Sequence, residues 1–114
     1  MMTWNDFTTE DQIDTIIKDS FGVPQLIFKH STRCSISSMA LNRFERQWDL
    51  ANERVKPFYL DLIAYRKISN AIAEKFHILH ESPQLLLIKN GECIYDTSHN
   101  DISVENFKDH ITTF

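Results

Sequence analysis

The segment "PQLIFKHSTRCSIS" (residues 24–37) decides the fold, because it joins a strand pattern to a helix pattern at a single cysteine. Pro24 opens a short apolar run that is typical of a β-strand. From Ser35 to about Trp48, apolar residues recur every three or four positions, which predicts a helix. Cys34 therefore stands where the strand ends and the helix begins. The apolar residues that recur at this spacing are Ile36, Met39, Ala40, Phe44 and Trp48.

Outside this segment, helix and strand patterns alternate along the chain. Thr9 and Gln12 have the separation of a capping box and predict the start of a first helix. The residues expected on its buried face are Ile13, Ile16, Ile17 and Phe21. The predicted elements are, in order, helix 8–22, strand 24–30, helix 35–48, strand 58–65, helix 66–78, strand 84–89, strand 92–97 and helix 101–112.

This order of elements predicts an α/β fold. Strands that are separated by helices favour parallel pairing with right-handed crossovers. Asn90-Gly91 is a strong signal for a tight hairpin, so the last two strands should be antiparallel. We therefore expect βαβαββα order with an extra N-terminal helix, and a mixed sheet of about four strands with helices on both faces. A chain of 114 residues fits a single domain, 1–114.

The composition argues against several classes of function. The chain is 42% hydrophobic and 25% charged, as globular proteins are, and its formal net charge of −4 predicts no partnership with nucleic acid. No apolar run reaches the roughly 20 residues of a membrane helix. The first twelve residues lack the apolar stretch of a signal peptide. Two widely separated cysteines are not a disulfide framework, so we expect a cytoplasmic protein with reduced thiols and no membrane partner.

The surroundings of Cys34 favour a reactive thiolate. At the N-cap of the predicted helix, its sulfur can face the N–H groups of Ile36 and Ser37, where the helix dipole favours negative charge. Residues 21–44 contain no Asp or Glu, although the chain has 16 of them. A partly exposed, reactive cysteine is the favoured interpretation, and a small buried residue is the alternative. The cations of the acid-free stretch are Lys29, Arg33 and Arg43.

The histidines suggest other chemistry. His30 lies near Cys34 in the sequence, as in the Cys–His pair of a hydrolase, but it falls within the predicted strand. His77 and His80 can share a helix face, yet zinc needs three or four ligands and no third one is evident. We therefore predict no metal site. His99 can return to the edge of the sheet that holds Cys34, or it can be a solvated loop residue.

A family resemblance appears at these same residues. The opening segment, Ser82-Pro83 before a strand, and "NGECIYDTSHNDIS" (residues 90–103) resemble the monothiol bacilliredoxin family. These are small thioredoxin-like proteins of bacillithiol-using bacteria, among them general stress proteins. Since the resemblance covers nearly the whole chain, it implies a thioredoxin-like three-layer sandwich. It implies that Cys34 is the redox cysteine and that Pro83 is a cis-proline facing it.

The resemblance also assigns a position to Ser37 and shows two departures. Ser37 lies where a dithiol relative has its resolving cysteine, in a Cys-x-x-Ser arrangement, and its hydroxyl can donate a hydrogen bond to the sulfur. The family usually has proline directly after the cysteine, whereas this chain has Ser35. The family often has tryptophan where this chain has Asn100.

The function implied by the resemblance is monothiol thiol-disulfide exchange. A Cys34 thiolate attacks mixed disulfides between client proteins and a low-molecular-weight thiol such as bacillithiol, and then carries the adduct. The expected partners are S-thiolated client proteins, the small thiol as co-substrate and a flavoprotein reductase, with no other cofactor. The residues expected to bind substrate or tune the thiolate are Arg33, Ser35, Ile36 and Lys29.

Two other functions stay open from the sequence. One is a glutaredoxin-like carrier of an iron–sulfur cluster, held by Cys34 from two chains together with small thiols. The other is a thioredoxin-like interaction module without turnover. The second cysteine, Cys93, is not expected to pair with Cys34. Strand 84–89 carries the chain roughly 20 Å away from the end marked by Pro83, and a disulfide needs Cα atoms within about 7 Å.

Overall fold

The computed structural model describes residues 2–51 and 54–111. These residues form five strands and four helices, and a short 3₁₀ helix, His99–Asp101, precedes the last helix. The elements are β1 (Asn5–Asp6), α1 (Gln12–Asp19), β2 (Gln25–His30), α2 (Ser35–Gln47), β3 (Lys56–Asp61), α3 (Arg66–Phe76), β4 (Gln84–Lys89), β5 (Glu92–Ser98) and α4 (Val104–Ile111).

The strands form one mixed sheet in the order β1-β3-β2-β4-β5. Strand β3 runs parallel to both β1 and β2, whereas β4 is antiparallel to β2 and to β5. The predicted α/β architecture is confirmed, with one strand more than expected. The added strand, Asn5–Asp6, is two exposed residues long. It therefore has no hydrophobic alternation by which the sequence could reveal it.

Two hydrophobic cores, one on each face of the sheet, make the fold a three-layer sandwich. Neighbouring strand residues point to opposite faces, so Phe28 of β2 joins one core and Ile27 the other. Helices α2 and α4 cover the first core through Phe44 and Phe107. Helices α1 and α3 cover the second core, which includes Ile72. None of the helices within residues 2–51 and 54–111 is both long and apolar enough to cross a membrane.

The hairpin between β4 and β5 has the predicted turn. Asn90 and Gly91 have φ angles of 53° and 81°, so both lie in the left-handed region that a type I′ turn requires. The amide of Gly91 donates to the hydroxyl of Ser20 at 2.8 Å, which ties the turn to the end of helix α1. This turn marks one pole of the sheet, opposite to the edge where β2 ends.

Three apolar residues that lie at helical spacing in the sequence are exposed. Phe21 is 66% exposed, because helix α1 ends at Asp19 and the ring lies beside the Gly91 turn instead of in a core. Ile36 and Met39 are 54% and 65% exposed. Successive helix residues are turned by about 100°, so both lie beside the stripe that α2 buries. That stripe consists of Ser37, Ala40 and Phe44.

The ends of several elements also differ from the sequence prediction. Helix α1 begins at Gln12, and its N-cap is Asp11, which makes no side-chain capping bond. The Gln12 side chain instead accepts from the Thr9 amide at 2.9 Å, so one half of the expected capping box is present. The predicted strand 58–65 stops at Asp61 and continues as a loop. The predicted last residue of the final helix, Thr112, lies outside the described residues.

Candidate functional site

One edge of the sheet gathers the segments that carry the predicted site. His30 ends strand β2 and lies level with Asp61, the last residue of β3. Lys29 pairs with Gln84, so Pro83 arrives beside the end of β2. Because Cys34 follows that strand end after three residues, the cysteine and the proline reach the same edge of the sheet.

Cys34 is the N-cap of the 13-residue helix α2, as predicted from the strand-to-helix transition. Its amide donates to the carbonyl of Ser31 at 3.1 Å, and its own carbonyl accepts from the amide of Ser38 at 3.1 Å. The residue is half-buried, and within the described chain its side chain makes no capping hydrogen bond. The sulfur therefore lies at the positive end of a helix dipole without a fixed partner.

Ser37, the residue at the position of a resolving cysteine, is fully buried. Its Oγ lies 2.7 Å from Nδ1 of His30 and accepts a hydrogen bond from the amide of Ser31 at 3.0 Å. These two contacts join the first turn of helix α2 to the end of strand β2 and to the loop before Cys34. The expected hydrogen bond to the sulfur is not among the contacts of this hydroxyl in the described structure.

His30 is enclosed between two elements. Its side chain faces Ser37 of helix α2, and its ring lies 5.7 Å from the ring of Tyr59 in strand β3. Burial lowers the pKa of His30 below 6.5, and the negative charges of Asp61 and Glu45 oppose this shift. Burial also raises the pKa of Tyr59 above 10.0, and the same two acids add to the shift. The imidazole of His30 is therefore neutral at pH 7.

The peptide bond between Ser82 and Pro83 is cis, the configuration that the resemblance implies. The loop that leads to this bond is held at several points. The amide of His99 donates to the Pro83 carbonyl at 3.1 Å. Nε2 of the His99 ring lies 3.0 Å from the carboxylate of Glu81. The side-chain amide of Gln84 donates to the carbonyl of Leu79 at 2.9 Å. His99 thus returns to the edge of the sheet that holds Cys34.

Lys29 does not lie beside Cys34, although the two residues are close in the sequence. Its ammonium donates to the carbonyl of Ser69 at 3.2 Å and lies 3.4 Å from Nδ1 of His80. Both partners belong to the face of the sheet covered by helix α3, whereas Cys34 opens helix α2 on the opposite face. Burial lowers the pKa of Lys29 to about 8. Lys29 is therefore a buried cation of the other core, separated from the Cys34 side chain by the sheet.

The other predicted residues surround Cys34 at the surface. Arg33, Ser35 and Ile36 are all exposed. Arg43, the third cation of the acid-free stretch, donates to the carbonyl of Ile102 at 3.1 Å and so is held toward the end of β5. Arg33 is therefore the exposed cation next to Cys34, and Ile36 supplies an apolar surface beside it.

Cys93 lies at the opposite pole of the sheet, as predicted from the hairpin. It pairs with Ile88, one residue pair from the Asn90-Gly91 turn, while Pro83 precedes the other end of the same strand. Both cysteines are free thiols. Burial raises the pKa of Cys93 to about 11, with a further contribution from Asp96. The Cys93 thiol is therefore protonated at neutral pH and remote from the site.

Two contacts at this end of the sheet were not predicted from the sequence: His30 with Ser37 at the site, and Lys29 with His80 on the opposite face. The alternation of side chains along strand β2 indicates which face of the sheet each residue lies on. His30 shares the face of Leu26 and Phe28, which helix α2 covers, and Lys29 must then point the other way. The sequence did not show that Ser37 of helix α2 would meet His30, or that His80 in the loop after helix α3 would meet Lys29, because both contacts depend on how the helices lie across the sheet.

Comparison with known proteins agrees with this architecture. The family described as monothiol bacilliredoxin BrxC matches residues 5–107. A solved structure of a candidate oxidoreductase with a thioredoxin fold is 30% identical, with a TM-score of 0.78 over 91% of this chain and 89% of the other. Thioredoxin from Malassezia sympodialis is 19% identical, with a TM-score of 0.72 over 97% and 90% of the two chains. Mitochondrial thioredoxin 3 from Saccharomyces cerevisiae is 17% identical, with a TM-score of 0.70 over 97% and 95%.

Proposed function

The chain belongs to the monothiol bacilliredoxin family, and we propose that it removes a low-molecular-weight thiol such as bacillithiol from client proteins. The thiol redox function follows from the family and the fold. The proposal adds the substrate, which is a mixed disulfide between a client cysteine and the small thiol. Cys34 is the attacking residue in this proposal.

The observation that carries the proposal is the state of the two positions in the Cys-x-x-Ser turn. Cys34 is half-buried at the N-cap of α2, with no side-chain capping bond in the described structure. Ser37 is fully buried and hydrogen-bonded to His30. The remaining cysteine lies at the far pole of the sheet. A site of this kind can take up an adduct, but its own chain supplies no thiol to expel it.

The exchange needs no added oxidant, because each disulfide bond that breaks is replaced by one that forms. The Cys34 thiolate attacks the small-thiol sulfur of the client's mixed disulfide, the client S–S bond breaks, and a new S–S bond to Cys34 forms. The client cysteine leaves as a thiolate and takes a proton from water. A second small thiol then attacks the adduct, releasing the Cys34 thiolate and a symmetric small-thiol disulfide. A flavoprotein reductase that reduces this disulfide completes the proposed cycle.

The surface around Cys34 is suited to such a substrate. The helix N-terminus and Arg33 favour a negatively charged small thiol. Ser35 is the exposed first residue of helix α2, and Ile36 is an exposed apolar contact for the client chain. Pro83 reaches the same edge of the sheet through the cis peptide bond. We assign these four residues to substrate binding, and Lys29 is not among them.

Intact-mass spectrometry tests the proposal. The purified protein is incubated with bacillithiol disulfide, and in parallel with glutathione disulfide and an S-bacillithiolated protein. A single adduct is expected on Cys34, together with release of unmodified client. The Cys34→Ser variant should gain no adduct, and Cys93→Ser should gain the same adduct as the unsubstituted protein. An unmodified Cys34 after incubation with all three reagents contradicts the proposal. An absorbance scan of freshly purified protein tests for an iron–sulfur cluster.

A further inference from the structure

A buried polar pair at the site has no part in the exchange reaction described above. His30 ends strand β2 and is 5% exposed, and Ser37 of helix α2 is completely buried. Their Nδ1 and Oγ atoms lie 2.7 Å apart, which is a short distance for a hydrogen bond that involves a ring nitrogen. The same oxygen accepts from the amide of Ser31 at 3.0 Å. The pair therefore connects three segments that converge on Cys34.

The position of Ser37 on the helix places this pair next to the reacting residue. Cys34 is the N-cap of α2, and Ser37 is the third residue of the helix. Residues three apart on a helix lie on the same face, with Cβ atoms about 5–6 Å apart. Any movement of Ser37 therefore moves the first turn of the helix, and with it the backbone that carries the sulfur.

The hydroxyl of Ser37 has one proton, and His30 decides where that proton points. The Ser31 amide can only donate, so the oxygen accepts there. When Nδ1 of His30 carries no proton, the hydroxyl donates to it, and no donor is left for sulfur. When Nδ1 carries the proton, the oxygen accepts twice and its own proton is free to turn toward Cys34. The two arrangements differ in what the first turn of α2 offers to a thiolate.

We infer that His30 is a positioning residue for the exchange reaction of Cys34, acting through the hydroxyl of Ser37. The inference rests on the proposed function and deepens it, because it explains why a buried serine occupies the position of a resolving cysteine. His30 does not touch the reacting sulfur. It holds the first turn of helix α2 and sets the hydrogen-bond state of the residue beside Cys34.

The charges around His30 fit this role. Asp61 at the end of β3 and Glu45 of helix α2 are the acids that act on the ring, and Tyr59 of β3 lies against it. Glu45 is itself held by the indole of Trp4 at 2.7 Å. Burial outweighs these two charges and lowers the pKa of His30, so the imidazole is neutral at pH 7 and carries its one ring proton on either Nδ1 or Nε2.

The test compares rates of adduct formation at Cys34. His30→Phe keeps a planar ring and removes both nitrogens, Ser37→Ala removes the hydroxyl, and a third protein carries both changes. Each single variant should form the adduct with bacillithiol disulfide about tenfold more slowly, as expected for the loss of one hydrogen bond. The double variant should form the adduct no more slowly than the slower of the two single variants, because the two residues act as a unit. His30→Asn, which restores a polar atom near the position of Nδ1, should recover most of the rate.

Two measurements separate positioning from simple loss of stability. Gly91→Ala destabilises the far pole of the sheet and should leave the rate unchanged. In the unsubstituted protein, nitrogen-15 NMR of the imidazole should show the His30 Nδ1 resonance shifting when Cys34 takes up the adduct. Folded variants with normal rates, additive effects in the double variant, or an unmoved His30 resonance would each overturn the inference. If the unsubstituted protein forms no adduct at all, the proposed function fails instead.

Discussion

Lys29 and His30 are adjacent in strand β2, yet their side chains serve opposite faces of the sheet. The ammonium of Lys29 contacts Ser69 and His80 on the α3 face. The imidazole of His30 contacts Ser37 on the α2 face, at the start of the helix that bears Cys34. Of these two basic side chains, only His30 belongs to the thiol site, and Lys29 belongs to a buried polar cluster behind it.

The buried charge of Lys29 predicts an unusual dependence of stability on pH. Its pKa falls from 10.5 in the unfolded chain to about 8 in the fold. Between these values the unfolded state binds more protons, so this contribution to stability rises with pH. Below pH 8 the full cost of burying the charge is present. Lys29→Met should therefore be more stable than the parent protein at pH 7, and its advantage should shrink by pH 10.5.

We expect the advantage at neutral pH to be on the order of 2 kcal/mol, after allowance for the lost hydrogen bond and for solvent screening. Urea unfolding at pH 7 and pH 10.5 measures it. Both proteins should carry Cys93→Ala, because the pKa of that thiol rises from 9.0 to about 11 and it titrates in the same range. A variant that is destabilised equally at both pH values would show that Lys29 acts through its hydrogen bonds alone.

Most of the fold could be predicted from the sequence, because the helix, strand and turn patterns agree with the tertiary structure. The spacing of apolar residues placed Cys34 at a helix start, and Asn90-Gly91 placed the hairpin. Strand β1 could not be predicted, since two exposed residues carry no period. The exposure of Met39 could not be predicted, because an apolar residue at helical spacing has the same pattern whether it faces a core or solvent.

The site could be predicted only in part, because sequence distance and spatial distance differ along a strand. Lys29 and Arg33 are both close to Cys34 in the sequence, and both were expected to act on it. A strand places alternate residues on opposite faces, so the Lys29 side chain points into the other core and not toward Cys34. The contact of His30 with Ser37 depends on how helix α2 lies across the sheet, which no local pattern specifies.

The two glycines of the chain offer a matched pair of substitutions. Gly91 has φ of 81°, and a Cβ there would lie 3.1 Å from the ring of Phe21. Gly91→Ala should destabilise the fold by about 1–2 kcal/mol, the cost of a side chain in the left-handed region. At Gly22 the nearest atom to an added Cβ is 3.8 Å away, so Gly22→Ala should be neutral or slightly stabilising. Thermal unfolding compares them, and equal losses at both positions would contradict the turn geometry.

The two cysteines should behave differently under oxidation. Cys93 is protonated at neutral pH and lies near the hairpin turn, at the far pole from Cys34. Cys93→Ser should therefore keep most of the thiol-transfer activity, and Cys34→Ser should abolish it. Mild oxidation should give an adduct on Cys34 or a disulfide-linked dimer. Peptide mapping that finds a bridge between Cys34 and Cys93 in the folded monomer would contradict both the strand register and the monothiol mechanism.

The last prediction concerns the missing resolving thiol. Ser37→Cys places a thiol three residues after Cys34, on the same turn, at a separation within the reach of a disulfide. Nδ1 of His30, now 2.7 Å from the serine oxygen, can accept the proton of the introduced thiol. In a Cys93→Ala background, this variant should expel the small thiol from its own adduct and form an internal disulfide without added thiol. Intact mass against time measures the release, and His30→Phe in the same background should slow it. A stable adduct in the folded Ser37→Cys variant would mean that the two positions cannot meet in this turn.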